Sequence, residues 1–89
     1  MRRFIKDPAA VLDYTMDWGL WLSAIADTIK TSTWVNMGLT KISDSSTTTV
    51  ARIWLSGGVV GMRYTVTNRI TTEGGRTEER SLVIVGEER

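Results

Sequence analysis

Gly61-Met62-Arg63-Tyr64-Thr65-Val66-Thr67-Asn68-Arg69-Ile70-Thr71-Thr72-Glu73-Gly74-Gly75-Arg76-Thr77-Glu78-Glu79-Arg80-Ser81-Leu82-Val83-Ile84-Val85 reads as one long β-hairpin. β-Branched and aromatic residues alternate with polar ones on either side of the glycine pair. A two-residue Gly74-Gly75 turn would set Arg69 directly opposite Arg80, and like charges facing across a ladder repel. A three-residue loop, Glu73-Gly74-Gly75 with Gly75 left-handed, instead pairs Arg69 with Glu79 and Thr71 with Thr77. It also pairs Tyr64 with Ile84 and Val66 with Leu82 on the other face. Charge, core and glycine chemistry agree on this second register. Val83 and Val85 then lie opposite Leu82 and Ile84, so the last strand is apolar on both sides. Either it is a central strand covered near Trp18 or Trp21, or one side meets a partner molecule. In the second case Val83, Val85, Arg69 and Arg80 are the candidate interface residues.

Working outward, Thr47 to Leu55 alternates Thr47, Thr49, Ala51, Ile53 and Leu55 against Thr48, Val50, Arg52 and Trp54, which predicts a strand closed by Ser56-Gly57-Gly58. Leu39 to Ser43 predicts a short strand between turns at Asn36-Met37-Gly38 and Asp44-Ser45-Ser46. Thr28 to Asn36 predicts another. Either of its faces could point inward, so a bulge or kink in the middle would reconcile them. Gly19 to Asp27 fits a short helical turn or a packed loop. In Val11 to Trp18, Leu12, Tyr14, Met16 and Trp18 share one face and Val11, Asp13, Thr15 and Asp17 the other. A helix starting at Pro8 competes there, but the clean alternation favours a strand.

About seven strands at a spacing of roughly 8–12 residues predict an all-β fold, an immunoglobulin-like β-sandwich with a long C-terminal hairpin. Tyr64, just after Gly61, is placed like the tyrosine of a tyrosine corner. The 89 residues make one domain, 1–89, with 1–8 as an N-terminal arm and 86–89 as a frayed polar tail.

The chain has no cysteine and no histidine, so disulfides, thiolate metal sites and a histidine-based nucleophilic triad are all excluded. Net charge is +1, against a dedicated nucleic-acid binder, and it leaves little repulsion between copies, which permits self-association. No apolar run approaches the ~20 residues of a membrane span. Arg2-Arg3 mimics a signal-peptide start, but Asp7-Pro8 interrupts any apolar stretch, so synthesis and first folding in a reducing cytoplasm are expected.

Asp13 and Asp17 share a strand face about 13 Å apart, too far for a glycosidase pair, and read as solvent-facing charges. Gly57-Gly58 and Gly74-Gly75 are too short for phosphate loops. No EF-hand spacing occurs, so neither metal nor cofactor is expected. Tryptophans exposed on a flat β-face can stack on sugars, and Trp21, Trp34 and Trp54 are candidates for such a platform, with Trp18 a fourth. Against this, most tryptophans in so small a domain belong to its core. The late arginines alternate with Glu73, Glu78 and Glu79, as cross-strand ion pairs would.

Several stretches together resemble small bacteriophage and prophage virion proteins of the fibre–tail adaptor or head–tail module kind. They are Lys6-Asp7-Pro8, Val11-Leu12-Asp13-Tyr14, Asp17-Trp18, Trp21-Leu22, Asp27-Thr28-Ile29, Ser32-Thr33-Trp34, Ala51 to Gly58, Tyr64 to Thr72, Gly75-Arg76-Thr77 and Arg80-Ser81. Val59-Val60, Met62 and Ala24-Ile25-Ala26 carry no part of the resemblance. It implies a non-enzymatic structural role: an immunoglobulin-like sandwich docking to other virion proteins, with a symmetric ring as one arrangement. It implies no catalytic residue, cofactor, nucleic acid or membrane. It implies residence in the host cytoplasm during assembly and then in the virion tail. The alternative is a carbohydrate-binding immunoglobulin-like module using the exposed tryptophans.

Overall fold

The computed structural model describes residues 2–87. Its strands are β1 (Arg2–Lys6), β2 (Leu12–Asp17), β3 (Ile29–Asn36), β4 (Thr40–Ser46), β5 (Val50–Ser56), β6 (Arg63–Thr72) and β7 (Thr77–Gly86), with one helix, α1 (Gly19–Ala24), between β2 and β3. They form a four-stranded sheet in the order β1-β7-β6-β3 and a three-stranded sheet in the order β2-β5-β4. The two sheets pack as a β-sandwich around Tyr14, Met16, Trp18, Leu22, Ile53, Leu55, Tyr64, Val66, Ile70, Leu82 and Ile84.

The hairpin adopts the register its charges and glycines require. Arg69 faces Glu79, Thr71 faces Thr77, Tyr64 faces Ile84 and Val66 faces Leu82. Gly75 is left-handed, with φ of +89°. β7 lies between β1 and β6, a central strand of its sheet.

Three boundaries differ from the sequence reading. The arm expected over residues 1–8 contains β1, which pairs parallel with β7. Of the tail expected over 86–89, Gly86 belongs to β7 and the Glu87 amide donates to the Lys6 carbonyl at 3.0 Å, while residues 88 and 89 lie outside the described residues. The turn expected at Asp44-Ser45-Ser46 is the end of β4, and the chain turns instead at residues 47–49. Thr47 Oγ1 accepts from the amides of Thr49 and Val50, so this threonine folds the backbone rather than extending it.

In β3 both candidate faces are partly right. A bulge between Ile29 and Thr31 makes Lys30 the extra residue. Ile29 is buried before the bulge, and after it Ser32, Trp34 and Asn36 turn inward.

β6 points Tyr64, Val66, Asn68, Ile70 and Thr72 into the sandwich. Asn68 is fully buried. Its Oδ1 accepts from Trp18 Nε1 at 2.8 Å, and its Nδ2 donates to Ser32 Oγ and to the Thr33 carbonyl. One amide thus joins the end of β2 in one sheet to β6 and β3 in the other. Arg80 closes this site from outside. Its guanidinium lies 4.3 Å from the centre of the Trp18 ring and donates to the Asp17 carbonyl.

At the hairpin tip, Asp27 accepts from the amides of Thr28 and Gly74 and pairs with Arg76 at 3.1 Å. Gly74 fits because a Cβ there would meet Asp27 Oδ2 at 2.7 Å.

Asn68→Ala leaves the Trp18 indole N–H buried without an acceptor, at a cost of about 1–3 kcal/mol. The urea unfolding midpoint should fall accordingly with little change in slope, and an unchanged midpoint would refute the role given to Asn68. Hydrogen bonding from the Thr72 side chain, with Thr28, Gly74 and Arg76 adding to it, holds the Asp27 carboxyl below its ordinary range against an opposing effect of burial. A carboxyl depressed by folding stabilises above its unfolded value of about 3.9 and loses that contribution as pH falls through its folded value. Wild type should therefore exceed Asp27→Asn in stability at neutral pH, and urea melts should converge in strongly acidic buffer.

Candidate docking surfaces

The crossings between the sheets sort the loops into two ends. Loops 7–11, 36–39 and 57–62 lie together at one end, beside the start of β6 and the end of β7. Helix α1, the turn at 47–49 and the hairpin tip lie at the other.

At the first end, two of the three loops are apolar and uncharged, and the third carries Asp7. Residues 35–39 (Val-Asn-Met-Gly-Leu) and 57–62 (Gly-Gly-Val-Val-Gly-Met) contain no charged side chain. Val11, Val35, Met37, Val59, Val60 and Met62 are all exposed there, Met37 by 77% and Val59 by 60%. The other end carries Lys30, Glu73, Arg76, Glu78, Glu79 and Arg80, and its exposed large apolar side chain is Leu20 of α1.

Exposed valines would normally sit on a loop free to fold them away, but this loop is held. Tyr64 Oη accepts from the Val59 amide at 2.8 Å. The Tyr64 ring is flanked by Gly38 and Gly58. A Cβ on Gly38 would meet Tyr64 Cε1 at 2.6 Å, and one on Gly58 would meet the ring's other edge at 3.6 Å. Both glycines are left-handed, at φ of +92° and +107°. Tyr64 therefore seats the 36–39 and 57–62 loops side by side.

Lys6 ties in the third loop. It is 1% exposed, and its Nζ donates to the carbonyls of Gly57 at 2.8 Å and Asp7 at 3.0 Å. Burial pushes the ammonium below its ordinary value, with the Asp7 charge opposing part of that. On the far side Gly61 donates to the Gly86 carbonyl and Gly86 donates to the Met62 carbonyl. Gly86 passes so close to the Val59 carbonyl that a Cβ would collide with it.

The residues singled out in the sequence are distributed differently. Val83 and Val85 alternate with the inward Leu82 and Ile84 on the outer face of the four-stranded sheet. Val83 is half-buried and Val85 buried, beside Arg3, Thr65, Ile5 and Arg63 of the flanking strands. Arg69 is exposed on that same face opposite Glu79. Arg80 alternates to the inner side and lies over Trp18, so the four do not form one patch.

The tryptophans are likewise separated. Trp21, on α1, packs edge-on against Trp18 with ring centres 5.7 Å apart. Trp34 is half-buried on the inward side of β3. Trp54 projects outward from β5 between Asp13 and Ser43, 39% exposed. A sugar ring meets no shared tryptophan face. Asp13 lies 3.5 Å from Arg52 Nε, and Asp17 Oδ1 accepts from the Gly19 amide, so both carboxylates have structural work.

Sequence reading passed over Val59, Val60 and Met62, Asn68 and Lys6. A signal existed for two of these. Alternation along β6 places Asn68 on the Tyr64 and Val66 face, and bulky apolar residues set between glycines are unusual for a solvent loop.

Among the described residues no helix is long and apolar enough to cross a membrane. No curated protein matches the chain. Over residues 6–85, from the buried lysine through the whole of the hairpin pairing, the chain matches the family model described as Podophage GP4 fiber-tail adaptor protein gp77, and it belongs to that family.

Proposed function

We propose that this chain is a non-enzymatic tail-adaptor module that joins other virion proteins by surface complementarity. An adaptor needs separate surfaces for what it joins. The reading is supported by the contrast between the apolar, uncharged 35–39 and 57–62 loops at one end and the charged hairpin tip at the other. Permanent protein interfaces have apolar, charge-poor centres, whereas charged surfaces set orientation and partner choice.

The finer fold reading is an immunoglobulin-like sandwich. It is supported by the grouping of β2, β5 and β4 against β3, β6 and β7, which parallels the B-E-D and C-F-G sheets of that fold, with β1 laid along β7. Val83 and Arg69 on the outer sheet face offer a lateral contact for neighbours in an assembly. The chain acts without cofactor, nucleic acid or membrane, first in the host cytoplasm during assembly and then in the tail. The separation of Trp21, Trp34 and Trp54 gives the carbohydrate-binding alternative no support.

The test is fractionation of virions assembled with an epitope-tagged copy of this chain. The tag should follow the tail through capsid disruption, at a fixed ratio to the tail proteins. The double variant Asp13→Asn/Asp17→Asn should be incorporated equally, as a structural part without carboxylate chemistry would be. A tag absent from virions would refute the proposal.

A further inference from the structure

We propose, resting on the adaptor reading above, that the loop end bearing the apolar 35–39 and 57–62 segments is a self-association surface on which a second copy of this chain docks, end to end.

The first argument is area. At their observed exposures, Val11, Val35, Met37, Val59, Val60 and Met62 present on the order of 500 Å² of apolar surface. That is at the upper end of what a monomer ordinarily leaves open, and it is the larger part of the ~800 Å² each partner gives to a stable interface. Backbone and polar atoms of the same loops supply the remainder.

The second argument is charge. An isologous contact brings each patch against its own copy, so any charge in it would face its like. Residues 35–39 and 57–62 carry none, and of the charges beside them Lys6 is buried with its Nζ on the Asp7 and Gly57 carbonyls and Asp7 is half-buried. At the rim of this end stand exposed groups of opposite sign, Arg63 at the start of β6 and Glu87 just past β7, which suit a polar border around an apolar centre. At the far end the closely spaced Arg76, Glu78, Glu79 and Arg80 put charge beside the uncharged residues 18–26, whose exposed large apolar side chain is the single Leu20.

The third argument is preorganisation. Association costs free energy when it must order loops. Here the Val59 amide is held by Tyr64, the Gly57 carbonyl by Lys6, and the Gly61 and Met62 backbone by Gly86. The backbone that carries the apolar side chains is already ordered. Pairing through this end would direct both charged ends outward, leaving them open to other virion proteins.

Light scattering on a size-exclusion column, across a wide concentration series, tests this. The wild-type mass should rise toward twice the single-chain 9.9 kDa. Val60→Asp and Met37→Asp should each weaken pairing at least tenfold while far-ultraviolet circular dichroism stays unchanged. Glu78→Lys, at the charged end, should pair as wild type does. A single-chain mass for wild type at every concentration would overturn the proposal, as would a paired mass that survives both loop substitutions with the fold intact. Either result leaves the adaptor reading standing on virion fractionation, so the two can fail separately.

Discussion

The sandwich depends on one buried amide. Asn68 takes the indole N–H of Trp18 from across the core and gives its own N–H groups to Ser32 and Thr33. A fully buried asparagine is costly unless its hydrogen bonds are made, and here both its donor and acceptor ends are used. Apolar packing alone tolerates small slides between sheets. A directional bond from an indole to an amide does not, and it fixes where the end of β2 and the start of α1 sit against β6. Arg80 lies over the Trp18 ring and donates to the neighbouring Asp17 carbonyl.

With the sheets so fixed, the chain can spend polar groups on holding loops. Lys6 and Tyr64 do this at one end, Asp27 and Thr72 at the other. The two ends are built alike and finished differently. At the hairpin tip, the clamped backbone carries charged side chains. At the opposite end, clamped glycines carry valine and methionine into solvent. Holding apolar side chains exposed on a rigid frame gains nothing for an isolated domain. It makes sense for one whose working state is an assembly, as membership of a tail-adaptor family implies.

The parts legible in the sequence were those fixed by local chemistry. The hairpin register followed from Arg69, Glu79, Gly75 and the alternation around Tyr64, all within one continuous stretch. The inward side of β2 was legible for the same reason. β1 was not, because five residues containing two arginines and a lysine become a strand only by pairing with β7, at the other end of the chain. Lys6 looked like a solvated arm residue, since nothing local shows that two carbonyls await it. The 47–49 turn was hidden because threonine both favours strands and caps turns. The face of β3 could not be chosen because the bulge at Lys30 makes both choices true in succession. For the docking surface, alternation separates Arg80 from Arg69, whereas only the three-dimensional crossing of the loops brings Gly38 and Gly58 to the same Tyr64 ring.

Tyr64, Lys6 and Gly86 hold the apolar loops to the sandwich. Amide hydrogen exchange read residue by residue tests this most directly. Exposed loops ordinarily exchange through openings of almost no free-energy cost. Val59, Gly61 and Gly86 should exchange as slowly as the amides of β6, and Tyr64→Phe should release Val59 while leaving Gly61 and Gly86 protected. Exchange of all three at the rate of an unstructured peptide would contradict that anchoring.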